Sequence, residues 1–100
     1  MHKINYETRR TIYAVAHAQN GAQLQSIVAL EELSEAQKEI CKFLRGCGSY
    51  DHLAEEVADA IIMLEQMCML YGISESVCSY MDAKVQRLAD NLKGGDNNVH

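Results

Sequence analysis

The sequence predicts an all-α protein that folds as a single domain, a four-helix bundle built from helical hairpins. The 100-residue chain contains no proline and six glycines, which disfavours a turn-rich β protein and leaves room for long helices. Apolar types make up 48% of the residues, enough for one core, and they recur at spacings of three and four. The domain is expected to span residues 1–93, followed by a flexible tail over residues 94–100.

Glycine-containing breaks divide the chain into four segments. These breaks are Asn20-Gly21, Gly46 to Ser49, Tyr71 to Ser74, and Gly94 to Asn98. The intervening segments predict helices near residues 5–19, 23–45, 51–71 and 75–92. The short connection through Ser49 makes the second and third helices antiparallel neighbours.

The helix ends have recognisable capping signals. Gly72 is expected to adopt a left-handed conformation that ends the third helix, with Ile73 folding back against it. Ser74 is expected to cap the start of the fourth helix, and Asp51 the start of the third.

The apolar stripes differ in width between the helices. The second and third helices have the most regular stripes, whereas the first is short of strong apolar residues. The third helix is apolar over a wide arc that includes Ile61, Ile62, Met63, Cys68, Met69 and Leu70. A monomer of this size has little material to cover that arc, so we expect a homodimer or homotetramer that completes the core.

Charge and composition exclude several classes of function. Nine basic and fourteen acidic residues give a net charge of −5, which opposes binding to nucleic acid. The sequence has no apolar run long enough for a membrane span and no secretory signal, so a cytoplasmic location is expected. Four cysteines without a Cys-x-x-Cys spacing are expected to be reduced thiols. They are Cys41, Cys47, Cys68 and Cys78.

Two pairs of acidic residues border the apolar stripes. Glu32 and Glu35 are three residues apart on the second helix, and Glu56 and Asp59 have the same spacing on the third. In an antiparallel hairpin the two pairs can face each other, an arrangement of hard oxygen ligands that suits Mg²⁺. The alternative is an ordinary solvated helix face, on which such acidic spacings are common.

The acidic residues also resemble a known family. Glu31-Glu32-Leu33-Ser34-Glu35, followed by Glu56-Val57-Ala58-Asp59, resembles the EExxE…ExxD pattern of the MazG-like all-α nucleoside triphosphate pyrophosphohydrolases, and the resemblance spans about residues 20 to 92. It implies hydrolysis of a nucleoside triphosphate between its α and β phosphates. The implied Mg²⁺ ligands are Glu32, Glu35, Glu56 and Asp59, with Mn²⁺ as a substitute metal. Glu35 and Glu31 are the implied catalytic residues, which position or activate water.

Substrate contacts follow less directly from the pattern. Lys84 and Arg87 lie one turn apart on the fourth helix, where the family often places phosphate-binding residues, and Gln25 is a candidate nucleotide contact. Each of the three also has a plain structural interpretation, as a solvated helix face or a polar residue at a helix start. A ferritin-type di-iron site is excluded because Lys38 and Asp59 stand where that site requires histidine. The alternative function is a non-catalytic helical interaction or nucleotide-binding module.

Overall fold

A computed structural model describes residues 3–94 of the chain, and all of its regular structure in that range is helical. The helices are α1 (Tyr6–Leu44), α2 (Tyr50–Leu70) and α3 (Ser74–Lys93). The all-α prediction is therefore confirmed. Most of the predicted C-terminal tail, residues 95–100, lies outside the described residues, and Gly94 forms the C-cap of α3.

The first two predicted helices form one element, α1, with a break inside it. Gly21 has φ 80° and ψ 162°, which is not helical, whereas the residues on either side continue as helix. This backbone conformation is essentially restricted to glycine because a Cβ atom makes it strained. The expected boundary between the first two helices is thus present as a kink at Gly21, and α1 comprises the two helical segments on either side of it.

The starts of the helices differ from the expected capping pattern. The Ser49 side chain, and not Asp51, caps α2 by accepting a hydrogen bond from the backbone N–H of His52 at 3.1 Å. Asp51 lies in the first turn, where its charge favours the helix dipole. Ser74 is the first residue of α3, and its N-cap, Ile73, makes no side-chain capping bond.

The ends of α1 and α2 share one stop signal. Gly72 has φ 65°, and the N–H of Ile73 donates to the Cys68 carbonyl at 2.9 Å, as a Schellman motif requires. Gly46 has φ 78° and is followed by the equivalent bond from Cys47 to the Lys42 carbonyl, also at 2.9 Å. The predicted left-handed stop at Gly72 is confirmed, and the same mechanism ends α1.

The core lies between α1 and α2, which pack as an antiparallel hairpin. Two contacts between the helices show the antiparallel direction. Gln25 of α1 bonds to Gln66 of α2, and Glu32, further along α1, approaches Asp59, which is earlier in α2. Few apolar side chains are deeply buried, and three of them are alanines that permit close helix approach. The buried apolar residues are Tyr13, Ala29, Ala36, Ala60 and Met63.

Helix α3 contributes little to this core. None of its residues, all within the described range, is buried, although it carries apolar side chains along one face. Met81, Val85 and Leu92 on that face are 58%, 61% and 60% exposed. The Cα radius of gyration is 16.5 Å, whereas a compact 100-residue domain has about 13 Å. Among the described residues, no helix combines the length and apolarity needed to cross a membrane.

Candidate metal centre

Three carboxylates from two helices meet at one edge of the hairpin. Glu32 on α1 and Glu56 and Asp59 on α2 place one carboxylate oxygen each within 4.8 Å of the others. All three side chains are half-buried. Since the cluster contains oxygen donors and neither histidine nor cysteine, it suits a hard divalent cation such as Mg²⁺ better than a soft metal.

Helix geometry accounts for this convergence. Glu56 and Asp59 are three residues apart and therefore lie on one face of α2, which borders the buried Ala60 and Met63. Glu32 lies on the face of α1 that carries the buried Ala29 and Ala36. Because small alanines bring the two helices close together, side chains at the seam can reach across from one helix to the other.

The cluster concentrates negative charge around Glu56. Partial removal from water raises the pKa of Glu56, and the charges of Asp59, Glu32, Glu35 and Glu55 raise it further. A shift in this direction means that the neighbouring groups disfavour the charged carboxylate in the folded chain. A bound cation would relieve the same repulsion, so this electrostatic pattern fits a divalent metal.

Glu35 and Glu31 lie beside the cluster. Glu35 is exposed and forms an ion pair with Lys38, with 3.3 Å between Oε1 and Nζ. It lies outside the group of oxygens within 4.8 Å, yet its charge contributes to the raised pKa of Glu56. Glu31 is exposed on the flank of α1. The structure therefore brings together three of the four predicted ligands and leaves Glu35 outside this group, paired with Lys38.

The predicted substrate contacts lie in two different environments. Lys84 and Arg87 are exposed on α3, a different helix from the four carboxylates. Gln25 is 5% exposed in the α1–α2 seam. Its Oε1 accepts from Asn20 at 2.8 Å and its Nε2 donates to Gln66 Oε1 at 2.7 Å, so both ends of this amide are hydrogen-bonded within the chain.

An open groove of about 670 Å³ shares one residue, Glu35, with the predicted carboxylate ligands. It runs along the C-terminal half of α1 and has Glu35 in its wall. Three basic residues also line it, namely Lys38, Lys42 and Arg45. Glu39 lies in the wall as well, and Lys38 and Lys42 pair with Glu35 and Glu39, so the groove combines three basic with two acidic side chains.

Two groups of polar contacts between α1 and α2 were not anticipated from the sequence. Gln66 is 7% exposed and pairs with Gln25 in the seam. On the far side of Gly21, the Tyr13 hydroxyl donates to Glu65 Oε1 at 2.6 Å, and Arg9 lies 3.5 Å from the other Glu65 oxygen. Burial, followed by this hydrogen bond and the Glu65 charge, raises the pKa of Tyr13 to about 12. The seven-residue spacing of Gln25 from Glu32, and of Gln66 from Asp59, was the available signal for the amide pair.

Comparisons with known proteins assign the chain to no family. No protein-family model, no curated protein and no solved structure matches the chain.

Proposed function

We propose that this protein is a Mg²⁺-dependent nucleoside triphosphate pyrophosphohydrolase, as its resemblance to the MazG-like enzymes implies. The observation that supports the proposal best is the approach of Glu32, Glu56 and Asp59 within 4.8 Å across two helices. These are three of the four residues that the acidic pattern implies as metal ligands. A solvated acidic face would be expected to spread its charges apart, whereas these side chains crowd at a half-buried seam.

The proposed reaction consumes one water and one nucleoside triphosphate. Water attacks the α-phosphorus, the bond from that phosphorus to the α–β bridging oxygen breaks, and the products are a nucleoside monophosphate and pyrophosphate. When bound, Mg²⁺ offsets the charge of the triphosphate and of the departing pyrophosphate. Glu32, Glu56 and Asp59 would hold the metal, with Glu35 as the fourth ligand.

The chain's own side chains supply the remaining roles in this proposal. Glu35 borders the cluster and is exposed, so it can accept a proton from water or orient it after release from Lys38. Glu31 would assist from the flank of α1. The cations of the groove beside Glu35, together with Lys84 and Arg87, are the candidates to contact the phosphates.

The same proposal includes self-association. Helix α3 buries none of its residues within the described chain, and the radius of gyration exceeds that of a compact domain by several ångströms. A second copy packed on the apolar face of α3 would cover that face. We therefore propose a homodimer or homotetramer as the working form.

Thermal unfolding with separate and combined ligands tests the proposal. A nonhydrolysable nucleoside triphosphate and Mg²⁺ together are expected to raise the melting temperature more than either alone, because the carboxylates would hold the metal and the metal would offset the charge of the phosphates. Glu32→Gln should abolish the combined effect, whereas Glu75→Gln, an exposed acid in the first turn of α3, should retain it. A wild-type protein that does not respond to the pair would favour the non-catalytic interaction module.

A further inference from the structure

We propose that the buried Gln25–Gln66 amide pair sets the register of α1 against α2 and thereby assembles the three carboxylates. This makes the two glutamines positioning residues of the candidate metal centre. The inference rests on the proposed function for the role of the carboxylates, and on the described contacts for the register itself.

The spacing of the residues links the two sites. Glu32 follows Gln25 by seven residues, and Asp59 precedes Gln66 by seven. Seven residues make nearly two helical turns, about 10.5 Å, and return to almost the same face. In an antiparallel pair, a contact between the two glutamines therefore brings Glu32 opposite Asp59. A slip of one turn, about 5.4 Å, would separate them.

The apolar seam between the two sites does little to select that register. Two of the three buried apolar residues in this stretch are alanines, Ala29 and Ala60, whose small side chains leave a smooth surface that can pack in more than one axial position. A buried amide pair is selective, because in any shifted register its donors and acceptors would lose their partners away from water. Here the Gln25 Nε2 to Gln66 Oε1 distance is 2.7 Å, and both residues are less than a tenth exposed.

Neighbouring contacts fix the pair in place. Asn20, directly before the break at Gly21, donates to Gln25 Oε1 at 2.8 Å. Gln66 Nε2 in turn lies 3.3 Å from the Met63 sulfur, which accepts its second hydrogen bond. The orientation of the two side-chain amides is thus fixed by Asn20 at the break in α1 and by Met63 in the core.

The test compares Mn²⁺ binding and stability in the full chain. Substituting both glutamines by leucine removes both members of the buried pair at once, and the Asn20 amide that loses its acceptor is exposed and can bond to water. The Gln25→Leu/Gln66→Leu protein is therefore expected to keep its urea midpoint or raise it. Its dissociation constant for Mn²⁺, measured by titration calorimetry, is nevertheless expected to rise tenfold or more, as for other residues that position metal ligands. Wild-type affinity in this stable variant would overturn the inference, because a purely structural pair would be replaced without loss.

A matched control and a metal-free readout separate this inference from the proposed function. Tyr13→Phe removes another hydrogen bond between α1 and α2, on the far side of Gly21, and should leave Mn²⁺ affinity unchanged.

Without metal, the nuclear Overhauser contact between Ser26 and the Tyr71 ring, whose hydroxyls lie 2.6 Å apart, reports the register. The double leucine variant should lose or split this contact; retention at full intensity would overturn the inference. Failure of wild-type protein to bind Mn²⁺ would instead overturn the proposed function.

Discussion

Replacing Val85 by serine is expected to weaken the proposed self-association of the chain. Val85 lies on the apolar face of α3 and is 61% exposed in the isolated chain. Fully burying a valine side chain contributes about 1.5–3 kcal/mol, so covering the exposed part contributes about 1–2 kcal/mol per copy. In a twofold-symmetric interface Val85 of each copy is buried, so the loss of free energy is doubled. The loss of about 2–4 kcal/mol corresponds to a dissociation constant raised about 30- to 700-fold.

Sedimentation equilibrium over a wide range of protein concentrations measures this change. Ala83→Ser is the matched control, since Ala83 is exposed on α3 outside the apolar stripe and the substitution also introduces serine. It should leave the association constant within about twofold of wild type, as expected for a surface change. A wild-type chain that stays monomeric at high concentration, or a Val85→Ser chain that associates like wild type, would refute the assignment of this face as the interface.

Three further perturbations address the backbone, a helix cap and the carboxylate cluster. Gly21→Ala forces a Cβ into a glycine-only conformation and should lower the free energy of unfolding by about 1–3 kcal/mol, whereas Gly94→Ala, at φ −75°, should have little effect in urea titrations. Ser49→Ala removes a capping bond and should cost about 1 kcal/mol; Ser74→Ala removes none and should be nearly neutral, and equal losses would contradict the capping assignment. Because the pKa of Glu56 is raised on folding, stability of the metal-free protein should fall as pH rises from the usual glutamate range through that raised pKa, and Glu56→Gln should flatten the fall in urea midpoints across this window.

The all-α fold class could be predicted because the turn and stop signals and the hydrophobic periodicity both indicate helices. The stop at Gly72 and the hairpin of α1 and α2 both follow from the printed sequence. The break at Asn20-Gly21 was predicted, but its form as a kink could not be, since this dipeptide is a turn signal whether the chain reverses or only kinks. The capping residue of α2 could not be predicted either, because Ser49 and Asp51 are both residue types that cap well and they lie two positions apart.

The residues of the candidate site could be proposed from the sequence, but the contacts between their side chains could not. Spacing alone placed Glu56 and Asp59 on one helix face, and the hairpin brought Glu32 to them. The ion pair of Glu35 with Lys38 depends on rotamers, which a linear pattern does not encode. The burial of Gln25 against Gln66 depends on the register of two helices, a property of the folded pair.

The most direct test of the central claim is product formation from nucleoside triphosphates. Wild-type protein with Mg²⁺ is incubated with a panel of ribo- and deoxyribonucleoside triphosphates, and pyrophosphate and orthophosphate are measured separately. The account predicts pyrophosphate and monophosphate from at least one substrate, with activity abolished by chelation, by Glu32→Gln and by Asp59→Asn, and kept by Glu75→Gln. Orthophosphate as the primary product, or an intact panel with folded protein that binds Mn²⁺, would contradict it.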